Sequence, residues 1–208
     1  MDRAEYWLLD TAVDTKYPLD WLVAEDIEIV FNRSGHGLTP NELLTLLTRL
    51  FAHGDLLAQL RIGPETFQPV EPTVEQITSA LTGEFRMDYG LTVQGGARWE
   101  AYSAPDWSRY IDAGYFGDSL TGEVAAGTRR AAEQYLALEP FISSSSIVPN
   151  SVQWETLAPW QATYWKVLPE GHRATFRYVE DTTVRMHDPM RDEEWMRLLK
   201  WYTPYTPP

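Results

Sequence analysis

A chain of 208 residues, 44% hydrophobic and 13% aromatic, is long and apolar enough to fold as one large domain or two small ones. It has no cysteine, which excludes disulfides, thiolate nucleophiles and every Cys-ligated zinc site. The net charge of −13 makes nucleic acid a doubtful partner, because affinity for a phosphate backbone rests on Lys and Arg, and residues 1–100 set only seven basic side chains against sixteen acidic ones.

The N-terminus, Met1-Asp2-Arg3-Ala4-Glu5, is charged and lacks the apolar run of a signal peptide, and no window reaches eighteen apolar residues. A cytoplasmic protein without a membrane partner is expected. Tyr6, Leu9 and Val13 fall at helical spacing, with Trp7 and Leu8 widening the stripe, and predict a helix over 3–13, although a short strand fits the same residues. Pro18 suits a first helical turn, and Leu19, Leu22, Val23, Ile27 and Val30 predict a second helix. Asn32 to Gly37 reads as a loop. Thr39-Pro40-Asn41-Glu42 is a capping box with proline at the first helical position. Leu43, Leu46, Leu47, Leu50 and Phe51 then form one apolar face of a third helix, which Gly54 stops.

Residues 55–61 read as a strand and the proline-rich stretch 62–72 as a loop. Thr73-Val74-Glu75-Gln76 is a second capping box, opening a short helix that ends near Gly83. Phe85 to Leu91 predicts a strand that runs into Thr92, a cap for the next helix, and the Gly95-Gly96 pair is read as a sharp backbone turn beneath it.

This order of elements, with Gly54-Asp55-Leu56-Leu57 and Tyr89-Gly90-Leu91-Thr92-Val93-Gln94-Gly95 followed by Glu100, resembles the winged-helix (helix-turn-helix) modules of MarR-like and PadR-like bacterial regulators over residues 1–103. The resemblance implies a DNA-binding fold with the helix 39–53 as reader. In that reading Asn41, Thr45, Thr48 and Arg49 lie near bases, and Arg33, Arg86 and Arg98 near phosphates. Two features depart from it. Residues 62–84 replace a short wing hairpin, and the outward face of helix 39–53 carries one fixed positive charge where a base reader needs several polar or basic side chains.

The remaining chain predicts a small aromatic-rich α+β unit, with a soft boundary near Asp112-Ala113-Gly114 that divides the chain into 1–112 and 113–208, or one compact body. Ala101 to Ile111 is read as packing on the flank of the first module. Thr128 to Leu138 reads as a helix, and Ser143 to Ser146 as a connector or a serine-rich strand. Ala162–Leu168 and Ala174–Val179 predict a hairpin around Pro169-Glu170-Gly171-His172, Thr182–His187 a third strand, and Asp188-Pro189 the start of a C-terminal helix before a proline-rich tail.

No catalytic or metal spacing emerges. His36, His53, His172 and His187 form no ligand motif, and Asp188 and Asp192 read as helix-cap chemistry rather than a divalent site. The serine run lacks a nucleophile frame. No cofactor and no enzymatic activity are expected. The hairpin aromatics Tyr164, Trp165, Phe176 and Tyr178 offer a stacking or interaction surface, with core packing as their plainer role. The leading expectation is a non-enzymatic protein-interaction module on a winged-helix scaffold, acting on a protein partner or by self-association as a homodimer. The alternative is a winged-helix transcriptional regulator, and a third reading places a ligand-binding or hydrolytic cleft in the C-terminal half.

Overall fold

The computed structural model describes residues 1–64, 66–142, 145–180 and 189–204. The chain is mixed α+β with antiparallel sheets and divides into two compact units. Unit 1 is Met1–Ser103 with Thr163–Trp165; unit 2 is Ala104–Ala162 with Lys166–Thr203. The break after Ser103 precedes the expected Asp112 boundary, and Trp107 and Tyr110 belong to unit 2, where both contact Trp201.

Unit 1 runs α1 (Arg3–Thr11), β1 (Tyr17–Pro18), a 3-10 turn (Leu19–Val23), α2 (Ile27–Val30), α3 (Pro40–Ala52), β2 (Leu56–Arg61), β3 (Phe67–Val70), α4 (Val74–Leu81), β4 (Met87–Leu91) and α5 (Val93–Ser103). Three of its helices open on reciprocal caps. Thr39 pairs with Glu42 on α3 and Thr73 with Gln76 on α4, as the local pattern dictates, and Asp2 pairs with Glu5 on α1. Leu43, Leu46, Leu47 and Leu50 bury the apolar face of α3, each contributing roughly 1.5–3 kcal/mol. Gly54 (φ 72°) ends that helix in the left-handed conformation.

The expected second helix is broken. Tyr17–Pro18 pair with β4, and Ala24 is extended (ψ 141°), which confines the helical stretches to a 3-10 turn and a single α-turn. The 62–72 stretch also differs, because Phe67–Val70 pair with β2 as an edge strand, a place where Pro69 is tolerated. The sheet order is β1-β4-β2-β3, with all five residues of β4 buried.

Unit 2 contains β5 (Ile111–Phe116), β6 (Thr121–Ala126), α6 (Arg129–Ile142), β7 (Ser145–Ile147), β8 (Gln153–Leu157), β9 (Trp160–Gln161), β10 (Val167–Leu168), β11 (Gly171–Glu180) and α7 (Pro189–Leu198). The expected hairpin of 162–168 with 174–179 does not form. Val167–Leu168 pair back on Trp160–Gln161, residues 163–165 belong to unit 1, and β11 takes β6 on one side and β8 and β7 on the other. Val124, Ala132, Tyr135, Ala174 and Phe176 form the centre of a core shared by the sheet and α6. Ser143, Ser144, the 182–187 strand, His187, Asp188 and the tail after Pro204 lie outside the described residues. Among the described residues, no helix is long and apolar enough to cross a membrane.

Candidate functional site

The residues expected to meet DNA are held by the protein itself. α1 presents Glu5 and Asp10, and the residue after Gly54 presents Asp55; these carboxylates are 7%, 7% and 2% exposed. Buried carboxylates require charged or hydrogen-bonding partners, and the arginines supply them. Arg49 of α3 reaches Glu5 Oε1 at 2.6 Å. Arg98 of α5 spans two acids, Glu5 Oε2 at 3.0 Å and Asp55 Oδ2 at 2.6 Å. Arg33 pairs with Asp10, whose Oδ1 also accepts from Trp99 Nε1 at 2.8 Å and from the Tyr6 hydroxyl at 3.0 Å. Burial works against the charge on Arg98, but hydrogen bonds and charge from Glu5 and Asp55 outweigh it and raise the guanidinium pKa.

Three of the four arginines in the DNA reading are therefore spent on α1 and Asp55, Arg49 and Arg98 sharing one carboxylate. The fourth, Arg86, immediately precedes β4, with Nε 3.7 Å from Asp88. Asn41 and Thr45 are exposed and Thr48 half-buried on α3, and both threonine hydroxyls donate to carbonyls one turn back, Thr45 to Asn41 and Thr48 to Leu44.

The four expected platform aromatics are divided between the units. In unit 1, Trp165 is buried and its indole N–H donates to the Val13 carbonyl at 2.8 Å, while the half-buried Tyr164 accepts from the Leu91 amide and donates to the Ala12 carbonyl at 2.6 Å. Phe176 and Tyr178 are buried in the core of unit 2. They form no common exposed face. Of the histidines, His36 is half-buried, with one ring nitrogen 2.9 Å from the Leu22 carbonyl and the other accepting from the Leu38 amide. His53 ends α3, and His172 lies within β11 rather than in a turn. Among the described residues, no group of three His, Asp or Glu is placed to hold a metal ion.

Two concavities are lined by residues that the sequence reading did not group. In unit 1 a cavity of about 320 Å³ is lined by Lys16, Gln59, Phe67, Asp88 and Tyr164. Asp88 is buried there, and its Oδ1 has no hydrogen-bond partner among the described residues. Burial pushes its pKa up, Arg86 and Arg61 pull it back, and the Asp20 charge adds to the rise. The folded state then binds the Asp88 proton more tightly than the unfolded chain does. Its contribution to stability is present at low pH and is lost as pH rises from the ordinary carboxylate range through the raised value. Asp88→Asn removes this loss. Scanning fluorimetry is expected to show the variant melting above the parent at pH 8, with the difference closing toward pH 4. A pH-independent difference counts against this assignment.

The second concavity, about 570 Å³, lies in unit 2 between α6 and α7 and is lined by Arg109, Arg130, Arg191 and Arg197. On each helix the lining residues share one face (Arg130, Gln134, Ala137 and Leu138; Arg191, Glu194 and Leu198), a periodicity visible in the sequence, whereas their juxtaposition is not. Comparison with protein-family models, with curated proteins and with solved structures finds no match for this chain.

Proposed function

We propose that the chain is a non-enzymatic interaction protein built on a winged-helix-like scaffold, and that it works through protein contacts rather than by reading DNA. The scaffold reading is supported by the order α1, β1, helical segment, α3, β2, β4, α5 once β3 and α4 are set aside as an insertion, and by the antiparallel neighbours β1-β4-β2. β3 and α4, placed between β2 and β4, fill the interval that a short wing hairpin occupies in the resembled regulators.

The observation that carries the functional reading is the internal pairing of Arg33, Arg49 and Arg98 with buried carboxylates. A phosphate that recruited one of these guanidiniums would leave a buried acid without its partner, a cost of several kcal/mol that sets itself against the counterion-release gain. Residues 1–103 also carry sixteen acidic against seven basic side chains, so long-range electrostatics oppose the approach of a polyanion. A homodimer is the form of self-association proposed.

Titrating the protein into a pool of mixed-sequence duplex at low salt, where phosphate contacts are strongest, is expected to give no mobility shift. A salt-dependent shift that Arg49→Ala abolishes overturns the reading in favour of a DNA-binding regulator. Weighing the particle in solution tests the homodimer, and a monomer across the accessible concentration range removes it.

A further inference from the structure

The cleft between α6 and α7 gathers positive charge in a chain whose net charge is −13. Four guanidiniums line it, from the 3-10 turn 107–109 (Arg109), from the first turn of α6 (Arg130) and from α7 (Arg191, Arg197). The single lining carboxylate, Glu194, is already paired with Arg191 at 2.9 Å. Arg109 donates to the carbonyl of Arg197 at 2.5 Å, which ties the 3-10 turn to α7 and steadies one wall. Arg130 and Arg197 are exposed, and neither guanidinium has a hydrogen-bond or ion-pair partner among the described residues.

Arg130 and Arg197 differ in this from Arg33, Arg49, Arg98, Arg129 and Arg173, each of which faces a carboxylate within 4 Å. Four guanidiniums against one carboxylate leave the lining net positive, and an anion entering the cleft relieves their mutual repulsion. The rest of the lining matches an organic anion. Ser108 and Gln134 carry hydrogen-bonding groups, and Ala131, Ala137, Leu138 and Leu198 provide apolar surface. The volume falls in the range of small-molecule sites, roughly 300–1,000 Å³.

We infer that this cleft binds a small organic phosphomonoester, its phosphate held by Arg130 and Arg197 with Arg109 beside them and its apolar body against the α6–α7 floor. A phosphomonoester is largely dianionic at neutral pH and matches two forked guanidiniums, whereas a carboxylate brings a single charge. The site lies in unit 2 and shares no residue with the arginine network of unit 1.

The test is calorimetric titration of the full-length protein with phenyl phosphate, inorganic phosphate, benzoate and phenol at low ionic strength. Phenyl phosphate is expected to bind saturably at one site, with benzoate and inorganic phosphate about tenfold weaker and phenol showing no binding. Arg130→Gln and Arg197→Gln remove exposed, unpartnered groups and leave folding intact. Each is expected to weaken phenyl phosphate about tenfold and the pair to abolish binding. Arg177→Gln, an exposed arginine on β11 outside the cleft, is expected to change nothing.

Absence of saturable binding, equal losses in Arg177→Gln, or benzoate binding as tightly as phenyl phosphate each overturn the inference. A single-stranded oligonucleotide that displaces phenyl phosphate also overturns it, in favour of a nucleic-acid groove. That outcome is distinguishable from the DNA test of unit 1, because it responds to Arg130→Gln and not to Arg49→Ala.

Discussion

Replacing Arg98 by alanine is expected to destabilise unit 1 by about 3 kcal/mol, the lower end of the range for removing one partner of a buried ion pair. The lower end applies because the arginine side chain is itself 34% exposed, while Asp55, at 3%, is almost wholly buried. The damage is uneven across its two acids. Glu5 retains Arg49 and the Asp2 amide, but Arg98 is the cation that faces the Asp55 carboxylate. The double variant Arg98→Ala/Asp55→Asn is therefore expected to recover a large part of the loss, since an amide tolerates the dry site better than an unpaired charge. Arg98→Lys falls between, because an ammonium lacks the fork that spans two carboxylates. Urea unfolding of the parent, Arg98→Ala, Asp55→Asn and the double variant measures the cycle. If Arg98→Ala costs less than about 1 kcal/mol, as exposed pairs do, the network is a surface feature and its arginines are free for other partners.

Gly95→Ala sets two effects of opposite sign against each other. Helix propensity favours alanine over glycine by about 1 kcal/mol inside a helix, and Gly95 lies in the first turn of α5. A methyl group there falls 1.9 Å from the carbonyl oxygen of Asp55, which is backbone and cannot rotate away. The same carbonyl accepts from the Thr92 amide at 3.1 Å, so moving α5 outward also strains the join between β4 and α5. The clash wins, and a net loss of about 3 kcal/mol is expected, at the upper end for overpacking. Gly96→Ala meets the Trp165 ring at 2.1 Å and is expected to expel that side chain from the Val13 carbonyl. A gain in stability in urea unfolding of Gly95→Ala sinks the close-approach assignment.

The Gly95-Gly96 pair also shows how a correct signal acquires a different cause. Its position after a strand suggests a turn, but Thr92 accepts from the Gly95 amide at 3.0 Å and both glycines are helical. They are small because a backbone and an indole pass against them, a reason that lies 40 residues upstream and about 70 downstream in the chain. In the same way the helical spacing of Leu19 to Val30 is real, but the pairing of Tyr17–Pro18 with β4 overrides it. The hairpin β5–β6 gave little local signal, because Ala113, Gly114, Gly122, Ala125 and Ala126 lack the β-branched and aromatic bias of strands. Its stability comes from burial and from the pairing of β6 with β11.

What this sequence determines unaided is short-range. The caps at Thr39 and Thr73, the leucine face of α3, the left-handed stop at Gly54 and the cap at Thr92 each depend on residues a few positions apart, where chain connectivity supplies the proximity. The partners of its charges were decided only by tertiary structure. Arg49 meets Glu5 across 44 residues, Arg98 meets Glu5 across 93, and Arg130 shares a cleft with Arg197 from another helix. A side chain's charge is written in the sequence, but whether it is neutralised within the fold or held out for a ligand depends on which buried groups the packing sets beside it.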